Sequence, residues 1–202
     1  MMAFLHYMFS SVQLIAEQEF EHLEKIKTIG SSYMVASGLG EGCPFNSTYH
    51  LQQLADFALR LNDILEDFGE SSKNQFTLRI GINNGPIVAG VIAVCKPHYD
   101  IWGTTVNVAS RMESTSVPGR IQMTMKTYHR LRHRPYEFEY RGMAPVKGID
   151  GLLETYFLER GKCATPATPG VQRPYLRRRS SSIATLVLQL LNSQKKFSVN
   201  SR

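Results

Sequence analysis

The sequence predicts an α+β protein, in which helices cover one face of a β-sheet. Apolar residues recur with helical spacing between Leu51 and Phe68, which indicates an amphipathic helix. Two turn segments, at 30–31 and 83–86, each separate two β-prone runs and so predict two hairpins. Strands and helices alternate irregularly along the chain, unlike the regular alternation of a parallel α/β sheet.

The predicted elements follow in order. The end of a helix is expected over 12–23, then strands over 25–29 and 32–37, and a loop rich in Gly, Pro, Asn and Ser over 38–48. Strands over 76–82 and 87–94 flank the 83–86 turn. A helix follows Gly103, with Thr104 and Thr105 as candidate N-caps. The last elements are a strand over 120–124, a helix that Thr124 caps and that runs through His133, and strands over 136–141 and 154–159.

Composition limits the class of protein. A length of 202 residues, with 43% hydrophobic residues, suits one globular domain. We expect no transmembrane segment in this chain, because no run approaches 18 apolar residues. The apolar start lacks a basic region and a clear cleavage site, so it is a poor signal peptide. Three widely spaced cysteines predict neither a disulfide framework nor a zinc site, and they suit a reducing compartment.

The basic charge belongs to one end of the chain. Residues 1–160 carry 15 Lys and Arg and all 17 acidic residues, a balance of −2. Residues 161–202 carry the other eight basic residues and no acid, a balance of +8. The net charge of +6 is therefore a property of a tail, and we expect no nucleic-acid partner for the folded part.

The segment DIWGTTVNVASRM at 100–112 is the most informative. On the helix predicted there, Asn107 and Arg111 lie four residues apart and share one face. A carboxamide and a guanidinium beside the Asp100 carboxylate can hold a sugar and an anion together. On spacing alone, an ordinary amphipathic helix with a solvated Asn and Arg is the favoured explanation of the pattern.

This segment and its neighbours resemble the class III nucleotidyl cyclases, most closely the second cytosolic catalytic domain of membrane adenylyl cyclases. The supporting motifs are EKIKTIG at 24–30, SYM at 32–34, RIGIN at 79–83, AGVI at 89–92 and VKG at 146–148. The resemblance implies a ferredoxin-like βαββαβ sandwich with extensions. It also predicts three regions: a divergent or truncated start (1–19) that lacks the family's first strand and helix, a catalytic domain (20–160), and a basic, flexible tail (161–202).

The resemblance further implies a division of labour between two domains. In this family two aspartates hold Mg²⁺ or Mn²⁺, the ribose 3′-hydroxyl attacks the α-phosphate of ATP, and pyrophosphate leaves. One aspartate would lie on the strand that this sequence lacks, and Ser31 stands where the other is expected. We therefore expect no metal ligands in this chain, and a first-half catalytic domain as the partner that binds the metal.

The complementary residues are present, by the same resemblance. Lys27 and Asp100 match the positions that select adenine, and the backbone of Ile101 matches a third contact to the base. Alternatively, Lys27 is a solvated lysine of an edge strand and Ile101 simply packs in the core. Asn107 matches the residue that orients the ribose, Arg111 the one that meets the α-phosphate, and Lys147 the one that reaches the triphosphate.

Other expectations concern regulation and location. Ser31 matches a residue of the regulatory cleft that binds forskolin in many relatives, although a simple turn serine explains it as well. The resemblance implies a G-protein α subunit as a candidate partner, and a position at the cytoplasmic face of the plasma membrane within a larger cyclase.

The tail begins with a linker over 161–174. It continues with RRRSSS at 177–182, which resembles a kinase site, and an apolar stripe between basic clusters. Such a segment can bind an acidic membrane surface or calmodulin, or it is a disordered tail.

The sequence leaves three functional hypotheses. The first is an adenylate cyclase half-domain that converts ATP to 3′,5′-cyclic AMP and pyrophosphate in a heterodimeric site, for intracellular signal transduction. The second is a truncated, non-catalytic fragment that dimerises with a cyclase and regulates it. The third is an inert homodimer. The presence of Asn107, Arg111 and Lys147 favours the first hypothesis, whereas the unusual start and basic tail favour the second.

Overall fold

A computed structural model describes residues 12–13, 15–17, 19–20, 22–40, 48–71, 77–92, 97–145 and 151–161, with backbone alone over 66–71. The chain divides into two compact units. The first comprises residues 1–62 and 77–162, and the second comprises residues 63–76 and 163–202. Of the second unit, the structure describes the C-terminal part of one helix. The tail predicted over 161–202 lies outside the described residues, apart from Gly161.

The described elements are mixed α and β, which confirms the predicted fold class. The strands are β1 (Leu23–Ile29), β2 (Ser32–Ser37), β3 (Ile80–Ile82), β4 (Val88–Ile92), β5 (His98–Trp102), β6 (Ile121–Thr124), β7 (Tyr136–Pro145) and β8 (Leu152–Arg160). The helices are α1 (Tyr49–Ser71), α2 (Thr104–Ser114) and α3 (Met125–Leu131). Helical residues also occur among 12–19.

The strands form a four-stranded sheet and two separate antiparallel pairs. The larger sheet has the order β3-β6-β8-β7, with β3 and β6 parallel and the other neighbours antiparallel. The pairs are β1 with β2 and β4 with β5. Consequently the chain must cross over between β3 and β6, and it is this crossover that contains β4, β5 and α2.

The main core lies where helices pack on the larger sheet. Strand β6 is fully buried, as expected for a central strand. Its alternate residues Ile121 and Met123 join apolar residues of α1 and Leu131 of α3 in one cluster. A smaller cluster joins Val108 and Met112 of α2 to Leu153 of β8. The two core clusters therefore fix α2 against the same sheet that α3 contacts.

The prediction of a second hairpin around residues 83–86 is wrong. Strand β3 pairs with β6, and β4 pairs with β5, so the chain leaves one sheet and enters another across this segment. The segment's polar groups bond to helices and to β6 instead of across a turn. For example, Thr127 Oγ1 donates to Asn84 Oδ1, and Thr105 Oγ1 donates to Pro86 O.

The predicted N-cap of α2 is also wrong. Gly103, with φ of 125°, occupies the N-cap position and no side chain caps the helix. This φ favours glycine, which explains why the chain turns there. Thr105 lies inside the first turn, where its hydroxyl bonds to Pro86 O. By contrast, Thr124 is confirmed as the N-cap of α3, since its side chain accepts from Thr127 N–H.

Several element boundaries differ from the predictions. The first hairpin is confirmed, but β1 starts at Leu23, inside the predicted helix. Helix α1 extends the predicted one at both ends, and α3 ends at Leu131 before His133. Residues 77–79 are not in a strand, although one was predicted over 76–82. Within the described ranges, none of the helices combines the length and apolar character that crossing a bilayer requires.

Candidate functional site

An ion pair joins two of the predicted site residues. Lys27 Nζ of β1 donates to Asp100 Oδ2 of β5 across 2.6 Å, although 73 residues separate them in sequence. The Asp100 side chain is 7% exposed and that of Lys27 is 33% exposed. A lysine ammonium carries three donors and a carboxylate accepts about four hydrogen bonds. The pair therefore retains a free donor and a free acceptor side by side for a ligand.

A β-bulge sets the direction of Lys27. The register shifts between Lys25 and Lys27, so that Lys25 lies opposite Val35 whereas Lys27 lies opposite the adjacent Met34. Adjacent residues of β2 point to opposite faces, and the bulge thus sends the two lysines to different sides of the hairpin. Lys25 Nζ donates to Gln13 Oε1 at 2.9 Å and lies over the Tyr33 ring. Of these two lysines, only Lys27 reaches Asp100.

The surroundings of Asp100 keep its carboxylate charged. The hydrogen bond from Lys27 lowers the pKa of Asp100, and a second bond from the Ile101 backbone N–H to Oδ1, at 2.9 Å, lowers this pKa further. Desolvation opposes these two effects but is smaller than either. Both oxygens thus have a donor, which suits a carboxylate that must accept from a ligand at neutral pH.

This lowered pKa predicts a pH-dependent stability. Because the pKa of Asp100 is lower in the folded than in the unfolded chain, ionised Asp100 stabilises the fold above about pH 4. That contribution is lost as the pH falls through the folded pKa. We expect the free energies of unfolding of wild type and Asp100→Asn to differ by a constant amount between about pH 5 and 7 and to converge below about pH 4. Urea titrations at each pH measure this difference, and a constant gap down to about pH 2 would contradict the prediction.

Helix α2 carries two further predicted site residues that the structure describes, Asn107 and Arg111. Val108 and Met112 are buried against the sheet, whereas Asn107 and Arg111 are exposed. Each pair has a spacing of four residues, so one stripe of the helix packs and the adjacent stripe faces solvent. Strand β5 ends at Trp102 and helix α2 begins at Thr104, so one residue separates them. Consequently Asp100 and Asn107 belong to consecutive elements joined only by Gly103.

The remaining predicted residues have different surroundings. Ile101 is buried, so its side chain packs in the core while its backbone N–H bonds to Asp100. Ser31 is exposed in the turn between β1 and β2. Lys147 and its neighbours lie outside the described residues, and the role of Lys147 stays a prediction.

The described residues do not fit a catalytic metal ion. Across the ranges that the structure describes, no three His, Cys, Asp or Glu side chains are grouped closely enough to hold one. The turn that precedes β2 offers the Ser31 hydroxyl, and Asp100 is already bonded to Lys27 and Ile101. A hard divalent cation prefers several carboxylate oxygens, which these residues do not provide.

Sequence reasoning missed two features of the site. The residue types do not reveal the bulge that directs Lys27 towards Asp100, because Lys25 and Lys27 both fit an ordinary strand. Asn83 ends the RIGIN motif at 79–83, which by itself gives this residue no separate role, yet its side chain bonds to α2 and to β6. Its place directly after a buried strand residue, Ile82, was a signal that could have marked it.

Comparison with known proteins decides the family. The model of the adenylate and guanylate cyclase catalytic domain matches residues 1–160. The chain belongs to this family. Adenylate cyclase type 9 of Gallus gallus is 45% identical over 148 residues, which are 71% of this chain and 11% of that protein. An adenylate cyclase of Mycobacterium bovis is 41% identical over 170 residues, which are 84% of this chain and 36% of that protein.

A solved structure supports the same assignment. The guanylate cyclase domain of RhGC from Catenaria anguillulae, in complex with GTP, aligns with a TM-score of 0.68 and 32% identity. The alignment covers 80% of this cyclase chain and 85% of that one. The chain thus spans most of a solved cyclase domain but only 11% and 36% of the two curated relatives.

Proposed function

We propose that this chain is the second catalytic half of an adenylate cyclase, which forms 3′,5′-cyclic AMP and pyrophosphate from ATP together with a first-half catalytic domain. The 2.6 Å pair of Lys27 and Asp100 carries the proposal. Its members come from different sheets, and the bulge in β1 aims the lysine at the aspartate. Two of the family relatives bear the name adenylate cyclase.

The pair favours adenine over guanine by its hydrogen-bonding pattern. Adenine presents a ring-nitrogen acceptor beside an amine donor, and guanine presents the opposite pattern at these atoms. Lys27 can donate to the ring nitrogen while it keeps its bond to Asp100. Asp100, ionised because of its lowered pKa, can accept from the amine. The wrong base would leave both charged groups facing atoms with which they cannot bond.

The exposed side chains of α2 suit the sugar and phosphate. Asn107 is proposed to orient the ribose, so that its 3′-hydroxyl points at the α-phosphate. Arg111 is proposed to meet the α-phosphate oxygens, where negative charge accumulates in the transition state. A guanidinium presents a planar fork of donors that matches these oxygens. Lys147 is proposed to contact the triphosphate.

The metal and the rest of the site are proposed to come from the partner. The described residues do not fit a metal ion, so Mg²⁺ or Mn²⁺ would be held mainly by the first-half domain. An apolar surface on the β4–β5 hairpin is available for that domain. Its exposed residues are Val88, Val91, Ile92, Tyr99 and Trp102. By the register, Val88, Ile92 and Trp102 share one face of the strand pair and Val91 and Tyr99 the other, and either apolar face could contact a partner.

The wider setting is also a proposal. Because the chain spans 11% of its type 9 relatives, we propose that it acts within a larger membrane cyclase at the cytoplasmic face of the plasma membrane. A G-protein α subunit acting on the domain, a regulatory cleft at Ser31, and a membrane or calmodulin contact through the tail are proposed on the resemblance alone.

Reconstitution tests the proposed function. The full chain is mixed with a first-half adenylyl cyclase catalytic domain, and cyclic AMP formation is measured against each component alone. The proposal expects synergy, with little product from this chain by itself. If the chain instead suppresses the activity of a complete cyclase pair, it is a non-catalytic regulator. Rapid cyclic AMP synthesis by this chain alone would contradict the proposal that two domains share the site.

Reversing the charge of Lys27 should weaken the preference for ATP. We expect Lys27→Glu to lower the ratio of kcat/KM for ATP over GTP by about 10- to 100-fold, the effect of one lost charged hydrogen bond. Lys25→Glu is the matched control, because it changes the same strand on its other face. Discrimination that is unchanged in Lys27→Glu, or equally changed in both variants, would show that Lys27 does not read the base.

A further inference from the structure

Helix α2 lies in direct backbone contact with β3. A Cβ atom placed on Gly81 would lie 2.1 Å from Glu113 N and 2.4 Å from Ala109 O. No side chain fits between strand and helix at this point. The contact fixes the C-terminal half of α2, but it leaves the first turn to be held by other groups.

The carboxamide of Asn83 joins the first turn of α2 to the end of β6. Asn83 Nδ2 donates to the backbone oxygen of Thr105 at 3.0 Å. Its Oδ1 accepts from Thr124 Oγ1 at 2.9 Å. Thr124 is itself 6% exposed and caps α3. One side chain thus connects α2 to the end of β6, a strand that is buried throughout.

A second bond holds the same turn. Thr105 Oγ1 donates to Pro86 O at 2.6 Å. A Cβ on Gly85 would lie 2.6 Å from that hydroxyl oxygen, so the segment after β3 passes against Thr105 closely. Thr105 therefore accepts from this segment through its carbonyl oxygen and donates to it through its hydroxyl.

The chemistry at position 83 requires an amide. The backbone oxygen of Thr105 can only accept, so it needs a donor, and the Thr124 hydroxyl, which also lies 3.0 Å from Thr127 Oγ1, donates to Asn83 Oδ1. Asparagine supplies both groups in the one orientation that satisfies both partners. Aspartate has the same shape but would place a carboxylate oxygen 3.0 Å from the Thr105 oxygen, where two acceptors repel.

We infer that Asn83 is a positioning residue of the cyclase site, which holds the first turn of α2 so that Asn107 and Arg111 are presented to the nucleotide in a fixed geometry. Asn83 touches no substrate in this role, which rests on the proposed function. A displacement of about 1 Å in a contact to the reacting group can lower a rate by 10²-fold. Loosening the first turn of α2 should therefore reduce kcat more than it changes the binding of ATP.

Hydrogen exchange tests the inference without an activity assay. In Asn83→Asp we expect the backbone amides of residues 106–110 to exchange about 5- to 10-fold faster, as for one lost hydrogen bond. The amides of β7 and β8 should be unchanged. The adjacent Asn84→Asp is the control, because it adds the same charge, keeps the acceptor for Thr127 and does not bond to α2. Equal exchange over 106–110 in both variants would overturn the inference.

Kinetics of the reconstituted pair give the second readout. We expect Asn83→Asp to lower kcat by between about 10- and 100-fold with KM for ATP within about 2-fold, and Asn84→Asp to have neither effect. A loss confined to KM, or an equal loss in both variants, would overturn the inference. If the wild-type pair makes no cyclic AMP, the proposed function fails, and faster exchange over 106–110 still establishes that Asn83 holds the helix.

A second pair of variants covers the case in which Asn83→Asp does not fold. Thr124→Ser keeps the hydroxyl that bonds to Asn83 and caps α3, whereas Thr124→Val removes it. Exchange over 106–110 should rise in Thr124→Val and stay at the wild-type level in Thr124→Ser. The same exchange in both Thr124 variants would contradict a connection from β6 to α2 through Asn83.

Discussion

Replacement of Arg111 by alanine is expected to lower kcat of the reconstituted pair by roughly 100-fold or more, with little change in KM for ATP. This is the pattern of a contact that is stronger in the transition state than in the ground state. In the proposed reaction, negative charge grows on the α-phosphate oxygens as the 3′-hydroxyl attacks. A fixed guanidinium stabilises that charge without reorganisation.

The structure indicates that Arg111→Ala removes the guanidinium without disturbing the packing of α2. The Arg111 side chain is exposed, while Val108 and Met112 of the same helix provide the packing. The Arg111 backbone oxygen accepts from Thr115 N–H at 3.0 Å, and an alanine keeps this bond. We therefore expect the free energy of unfolding to change by no more than about 0.5 kcal/mol.

Two controls separate this role from a general effect of charge. Arg130→Ala removes an exposed arginine from α3 and should leave kcat unchanged. Arg111→Lys keeps the positive charge but loses the planar pair of guanidinium donors. Its kcat should therefore lie between those of wild type and Arg111→Ala. The assigned role of Arg111 is refuted if its replacement raises KM and spares kcat.

Replacement of Gly81 by alanine is expected to give the largest loss of stability. The new Cβ would lie 2.1 Å from Glu113 N and 2.7 Å from Met112 C, which are backbone atoms that cannot rotate away. The helix or the strand must move as a whole. We expect the free energy of unfolding to fall by about 3 kcal/mol, near the upper end of what overpacking usually costs.

Gly90→Ala is the matched control for this prediction. Gly90 also lies in a strand, β4, but a Cβ there would meet only the Trp102 ring, at 3.8 Å. We expect its free energy of unfolding to stay within about 0.5 kcal/mol of wild type in urea titrations. A Gly81→Ala chain as stable as Gly90→Ala would show that α2 does not press on β3 in solution.

The local elements were largely predictable, because their signals are local. The apolar spacing within α1, the Gly30–Ser31 turn and the Thr124 cap each depend on a few adjacent residues, and all three are confirmed. Pairing between strands depends on distant residues. The 83–86 segment has hairpin residues, but Asn83, Asn84 and Pro86 bond to groups far along the chain.

The sequence predicted that Lys27 and Asp100 act together, but not how the structure brings them together. Lys27 and Asp100 were expected to cooperate, and they form an ion pair. The bulge that allows it depends on how β1 pairs with β2, which residue types alone do not determine. The bonds of Asn83 likewise depend on where β6 ends, and that position follows from the packing of the whole sheet.

In the proposed function, the junction at Gly103 links the residue that contacts the base to the residues that contact the sugar and the phosphate. A single residue connects the strand of Asp100 to the helix of Asn107 and Arg111, and no slack loop intervenes. Because the two elements adjoin, a tilt of β5 on binding of a purine would also move the start of α2. In the proposed function, a base that fits poorly would thus also misplace Asn107 and Arg111, and the reaction would discriminate between bases at the chemical step as well as at binding.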